Sequence, residues 1–198
     1  MKRSRQTRTE LLVGICALAF GIAVSIVKGN NAGIRDAIGN VASPWLLIGF
    51  VGGAIAGRRR VIVGALTGTV ATLIALLGFY VTNSFVLDLG PHRWLTDLYL
   101  AVDGGQGYFF FSLVSGPIFG TLGVWWVRTR SVIPVLIVGS VFVLEPGIQL
   151  ARSGGNNMGN QLLIGLVEIA IGVSWTIVTI RRTKLAHRNL AGCDRGEL

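Results

Sequence analysis

Long apolar runs separated by short polar stretches set the pattern of this chain. Six runs stand out, at about residues 11–27, 43–57, 61–84, 107–127, 132–150 and 161–180. Crossing the hydrocarbon of a bilayer as a helix takes ~20 mostly apolar residues, so each run reads as a transmembrane helix. The second is short, but it opens on "SPW", which supplies a proline suited to a first helical turn and, in Trp45, an aromatic anchor for the interface. Only Arg58, Arg59 and Arg60 separate it from the third, so these two should form a tight antiparallel hairpin. The expectation is an all-α integral membrane bundle of six helices, one domain over residues 1–198 with a basic tail at 181–198. The opening "MKRSRQTRTE" resembles the start of a signal peptide. No small-residue cleavage site follows the first run, which therefore reads as an uncleaved membrane helix.

The polar stretches differ in kind. Residues 28–42, "KGNNAGIRDAIGNVA", read as loop. Between 86 and 106, Pro91 suits a first turn, and Trp94, Leu95, Leu98, Tyr99 and Val102 recur at helical spacing. That predicts a short amphipathic helix lying at the membrane surface, either as a headgroup anchor or as a lid over a cavity. A weak internal echo links "LLIGFVGGAIAG" at 46–57 with "LLIGLVEIAIGV" at 162–173, identical at seven of twelve positions.

Charge fixes the expected sidedness. Of 18 basic residues, 14 fall on the side of the N-terminus and four, Lys28, Arg35, Arg93 and Arg152, on the other. Basic residues are retained in the cytoplasm, which predicts both termini there and a multi-pass protein of the inner (plasma) membrane. The formal charge of +9 would suggest nucleic acid in a soluble protein. Here the charges flank apolar segments, so topology and anionic headgroups account for them and no nucleic-acid partner is expected. Composition agrees: 52% hydrophobic, 14% charged, with a mean hydropathy of +0.65, too little charge to cover a soluble surface.

Twenty-eight glycines lie largely inside the apolar runs. Gly49, Gly53 and Gly57 form consecutive GxxxG steps in the second helix; Gly64 and Gly68 continue the pattern in the third, and Ser112, Gly116 and Gly120 in the fourth. Such rows let backbones approach closely, and they predict tight packing within the bundle or against a membrane partner or second copy. Pro117 is expected to kink or locally open the fourth helix.

The residue most out of place is Glu168, in the middle of "LLIGLVEIAIGVSW". A charged side chain at mid-helix is expensive, on the order of 2.5–3.5 kcal/mol for insertion of Asp, Lys or Arg. Its helical face reads Gln161, Gly165, Glu168, Gly172, Trp175 and Thr179, while Leu163, Leu166, Ala170, Val173 and Ile177 form an oily opposite face. Glu168 should therefore point at other helices. Glu145, with Gln149 on its face, falls at comparable depth, as do Tyr80 and Asn83 near the end of the third run. These six, Glu168, Glu145, Gln161, Gln149, Asn83 and Tyr80, are the candidate ligand-binding residues of a polar pocket opening outward. The competing reading makes Glu168 a hydrogen-bonding strut between helices and leaves Glu145 to water or headgroups.

Enzyme chemistry finds no support. "LVSG" at 113–116 lacks the glycine of the G-x-S-G of rhomboid-type proteases, and neither His92 nor His187 lies in an apolar run. Cys16 and Cys193 are too far apart in depth to pair, so no metal site, catalytic residue or cofactor is expected.

Over "NVASPWLLIGFVGGAIAGRRRVIVGALTGTVATLIALLGFY" and "SGPIFGTLGVWW", the chain resembles a family of uncharacterised actinobacterial polytopic membrane proteins, the 6518 family of domains of unknown function. The resemblance implies a polytopic fold and carries no functional residues. In size and helix number the chain is also similar to substrate-binding subunits of energy-coupling-factor transporters, an architectural likeness only. The leading expectation is transporter-like binding of a small solute or ion between helices. The alternatives are a non-transporting scaffold or accessory subunit whose glycine rows dock a partner, and an energy-coupling-factor type subunit.

Overall fold

In the computed structural model, the described residues are 2–29, 34–39, 41–56, 60–86, 94–152 and 158–193, and among them all regular structure is helical. The elements are α1 (Lys2–Lys28), α2 (Ile34–Gly39), α3 (Ser43–Ala56), α4 (Val61–Val86), α5 (Trp94–Gly104), α6 (Gln106–Thr129), α7 (Ile133–Arg152) and α8 (Met158–Cys193). Among the described residues, five stretches are long and apolar enough to cross a membrane: Thr9–Lys28, Val61–Phe85, Gln106–Thr129, Ile133–Ala151 and Gln161–Arg182. The remaining apolar helix, α3, has 14 residues, which at 1.5 Å per residue is only ~21 Å against a hydrocarbon core of ~30 Å.

Two elements differ from the sequence pattern. Part of the loop expected at 28–42 is the six-residue helix α2, too short for periodicity to reveal. The tail expected from 181 instead continues α8 without a break to Cys193. Pro117 and Pro146 both sit inside continuous helices. Gly57, Arg58, Arg59, Pro91 and Arg93 lie outside the described residues.

Successive long helices run in alternating directions. Thr9 and Ile55 face one groove at one end of α1 and α3, while Ala17 and Ile48 line it further along, so α1 and α3 are antiparallel. On α3, Gly49 meets Thr72 and Gly116, and Gly53 meets Gly120. α3 thus runs with α6 and against α4. α7 and α8 pair antiparallel, with Gly139 against Thr176, Gly172 against Phe142 and Gly165 against Pro146.

The glycine rows form the seam between α3, α4 and α6. A methyl group on Gly53 would overlap the Gly120 backbone, one on Gly120 the Gly64 carbonyl, and one on Gly68 would come 2.7 Å from the Gly116 carbonyl. These backbones touch because no Cβ stands between them. At Gly49, Gly53, Gly64, Gly68, Gly116 and Gly120 the rows are therefore filled from within the chain.

Side chains close the rest. Phe50, Phe119, Leu122, Val138 and Phe142 form one buried cluster, with Trp126 and Trp175 packed on it. This cluster ties the α7–α8 hairpin to the three-helix seam. Ala17, Ala71 and Ala75 bring α1 onto α4, flanked by Phe20 and Trp45. On α8, Leu163, Leu166, Ala170, Val173 and Ile177 are exposed, whereas Gly165, Glu168, Gly172 and Thr179 are buried. The α3 and α8 segments that echo one another in sequence occupy different settings, α3 within the seam and α8 on the α7 side of the bundle.

Candidate functional site

One end of the bundle, where α1 and α4 finish and α3 and α6 begin, carries nearly all the polar chemistry. It starts with the end of α1. Gly29 turns there with φ +57°, and its N–H donates to the Ser25 carbonyl at 3.0 Å. The Arg35 guanidinium donates to the Val27 carbonyl at 2.8 Å and to the Ile26 carbonyl at 3.0 Å. A cation on the last carbonyls of a helix satisfies groups that have no intrahelical partner. It also pins α2 across the end of α1, which brings Val41 and Ala42 to the start of α3.

At that start stands the answer to the carboxylate in the apolar run. Glu145, from α7, accepts the N–H of Ala42 at 2.5 Å, the N–H of Ser43 at 2.6 Å and the Gln149 side-chain amide at 2.8 Å. A carboxylate at a helix N-terminus meets unsatisfied N–H donors and the positive end of the helix dipole. The Ser43 hydroxyl donates to Glu168 Oε1, and the Glu145 carboxyl lies against Glu168 in side-chain hydrogen-bond contact. Glu168 is 5% exposed and Ser43 fully buried. Three helices thus converge, the start of α3 and the mid-portions of α7 and α8, and each acid has a donor.

Beside this junction is a cavity of about 290 Å³, lined by residues of α1, α2, α3, α4, α5 and α6 together with the segment joining α2 to α3. Trp45, Phe79, Tyr80, Tyr108 and Phe111 give it aromatic walls, and Lys28, Asn83, Ser112 and Ser115 supply polar groups. Phe79 and Tyr80 meet edge to face at 5.2 Å, Tyr80 stacks on Phe109 at 5.4 Å, and Trp45 braces Phe79 at 5.6 Å. The Lys28 ammonium lies over the Phe79 ring, 5.7 Å from its centroid. Ala42 joins the two sites: it lines the cavity while its N–H is held by Glu145.

The polar groups of this cavity are unusual. Tyr80 is 7% exposed and Ser112 8%, and both belong to the lining. Asn83 Oδ1 is buried without a partner. Buried polar atoms are nearly always hydrogen-bonded, so this orphaned oxygen in the lining of a void marks a place where a partner is expected.

The six residues singled out from sequence therefore divide. Tyr80 and Asn83 line the cavity; Glu145, Gln149 and Glu168 form the junction behind Ala42. Gln161, at the start of the apolar part of α8, has its Oε1 buried and unpartnered and lies in neither group. Three cavity residues carry other readings in the sequence. Lys28 counts toward topology, Trp45 as an interfacial anchor and Ser112 as a packing residue, while Ser115 enters only through the rejected protease motif. Ser43 was visible only as the residue before Pro44, although serine in that position is a helix-capping signal.

The DUF6518 family, described as a family of unknown function, has a sequence model that matches residues 1–192. The chain belongs to that family. No curated protein and no solved structure matches it.

Proposed function

We propose that this DUF6518 protein is a multi-pass protein of the plasma membrane, with both termini cytoplasmic, that binds a small solute in the cavity between α1, α3, α4 and α6, in the manner of a transporter's binding step. In this reading α3 is a sixth crossing, its short span completed by the flanking polar segments. The observation that carries the proposal is the buried Asn83 Oδ1, which has no protein partner and belongs to the lining of the cavity beside Tyr80 and Ser112. Ser115 extends the same surface. Its volume lies near the lower end of the ~300–1,000 Å³ range of small-molecule sites.

Glu168 is reassigned in this proposal from solute ligand to structural residue. With Glu145 it fixes the first turn of α3, and so the position of Ala42 on the cavity wall. No catalytic step is assigned to any residue.

The test is a thermal-stability screen of purified full-length protein against small water-soluble metabolites, followed by titration of any that stabilise it. Tyr80→Phe and Ser112→Ala should each weaken a stabilising solute by about fivefold, the worth of one hydrogen bond of ~1 kcal/mol. Glu168→Gln should leave its affinity within about twofold. If Glu168→Gln abolishes binding while Tyr80→Phe does not, the junction rather than the cavity is the site. If no solute stabilises the protein and it co-purifies with a membrane complex, the accessory-subunit reading replaces this one.

A further inference from the structure

We infer that the solute is an uncharged planar ring bearing an N–H or O–H donor, with the donor held by Asn83 Oδ1 and the ring lodged between α4 and α6. The inference rests on the cavity being a solute site and adds the chemical class of its occupant.

Two helix faces shape the pocket in the same way. On α4 the lining residues are Leu76, Phe79, Tyr80 and Asn83, a spacing that keeps all four on one side of a helix. On α6 they are Tyr108, Phe111, Ser112 and Ser115, at the same spacing. Along α4 the row passes from an apolar side chain through two rings to an amide close to the helix end at Val86. The rings therefore lie deeper along α4 and the acceptor nearer its end. Across from them, Tyr108 and Phe111 line the cavity while remaining 58% and 68% exposed, so much of their ring area is left uncovered by protein. Aromatic rings prefer edge-to-face or offset-stacked neighbours, and a planar ring supplies one to both walls.

The acceptor decides the polar part. Asn83 Oδ1 is buried without a partner, and an amide oxygen can only accept, so the group that completes it is a donor. Side-chain donors of this end are spent elsewhere. The Arg35 guanidinium is on the Val27 and Ile26 carbonyls, and the Gln149 amide is on Glu145. Lys28 holds its ammonium over the Phe79 ring and is given no part in holding the solute. The donor belongs to a neutral group rather than an ammonium because, among the described residues, no aspartate or glutamate lines the cavity. A cation seated there would be desolvated without a carboxylate to pair with.

The test uses the full-length protein in phosphatidylcholine nanodiscs, with empty discs as the blank, and three ring probes. 2-Pyridone carries an N–H donor, N-methyl-2-pyridone lacks it, and benzylamine is an ammonium at pH 7. Titration calorimetry should find 2-pyridone about fivefold tighter than its N-methyl form, the worth of one hydrogen bond, and benzylamine no tighter than the latter. Asn83→Leu should bring 2-pyridone down to the affinity of the N-methyl form. Asn83→Asp, which keeps oxygen acceptors, should preserve the preference.

A preference that survives Asn83→Leu, or benzylamine binding as tightly as 2-pyridone, overturns the inference. Ser115→Phe, which puts a ring into the cavity, separates it from the reading it rests on. If both pyridones bind alike and Ser115→Phe abolishes their binding, the cavity is a solute site and the donor class falls. If no probe binds, or if Ser115→Phe leaves binding intact, both readings fall.

Discussion

A carboxyl group in an apolar helix is tolerable only where donors have been arranged for it, and the Glu145–Ser43–Glu168 junction shows how few are needed. The donors on Glu145 are backbone N–H groups that α3 could not satisfy for itself, so the acid and the helix start relieve one another. Glu145→Ala removes the acceptor from two N–H groups at once. It should lower stability by about 2 kcal/mol, since an unsatisfied partly buried donor costs ~1–3 kcal/mol, and Glu145→Gln, which keeps a carbonyl oxygen, should lower it by less. Thermal unfolding in detergent reads both, and equal melting temperatures for the two variants would show that the acceptor is not what matters. In the sequence, Glu145 and Glu168 were conspicuous because acids are rare in apolar runs. Their partner was not, because Ser43 is 102 residues from Glu145 and 125 from Glu168, and no spacing rule reaches across such distances.

Among elements, the helices that a 20-residue apolar run announces are the ones the sequence made plain. The five spanning stretches begin and end within a few residues of those runs, because hydropathy and helix length answer to the same bilayer thickness. The short amphipathic stretch at 94–104 was also readable from its period, whereas α2 was not, since six residues hold less than two turns. Glycine spacing announced close packing but not its partners. Which row meets which is decided by how α3, α4 and α6 nest, and that is a property of three helices together. The seam makes a sharp contrast available. Gly53→Leu and Gly120→Leu push a side chain into the backbone of a neighbouring helix, which has no rotamer to yield, so neither variant should purify as a folded monodisperse protein. Gly147, with nothing within 4 Å of an added Cβ, should accept alanine with a change inside about 0.5 kcal/mol. Size-exclusion profiles of the three variants settle the matter, and a well-folded Gly53→Leu protein would mean that the seam is not close-packed.

For the molecule as a whole, the decisive element is the shortest. α3 carries Ser43 at the polar end of the bundle and approaches the Arg60 turn at the other, but its ~21 Å of helix falls short of a bilayer core. If α3 crosses, the alternation of helix directions places Lys28, the junction and the cavity together on the outer side, and the arginine-bearing turns at 60 and 128–130 inside, where basic residues are held. Its shortness is then accommodated by local thinning of the bilayer or by the polar flanks, at a modest cost per ångström of mismatch. If the bundle inserts the other way round, the packing of α1, α3, α4 and α6 still keeps Lys28, the junction and the cavity at one end, and that end faces the cytoplasm with Arg60 outside. Reporter fusions after Ala42, Arg60, Gly104 and Arg130 separate these cases without any knowledge of the solute. Alkaline phosphatase should be active after Ala42 and Gly104 and inactive after Arg60 and Arg130, with a fluorescent protein at the C-terminus lit in the cytoplasm. Phosphatase activity after Arg60 and Arg130, with none after Ala42 and Gly104, would turn the cavity toward the cytoplasm, and a solute gathered there would be one the cell makes rather than one it meets outside.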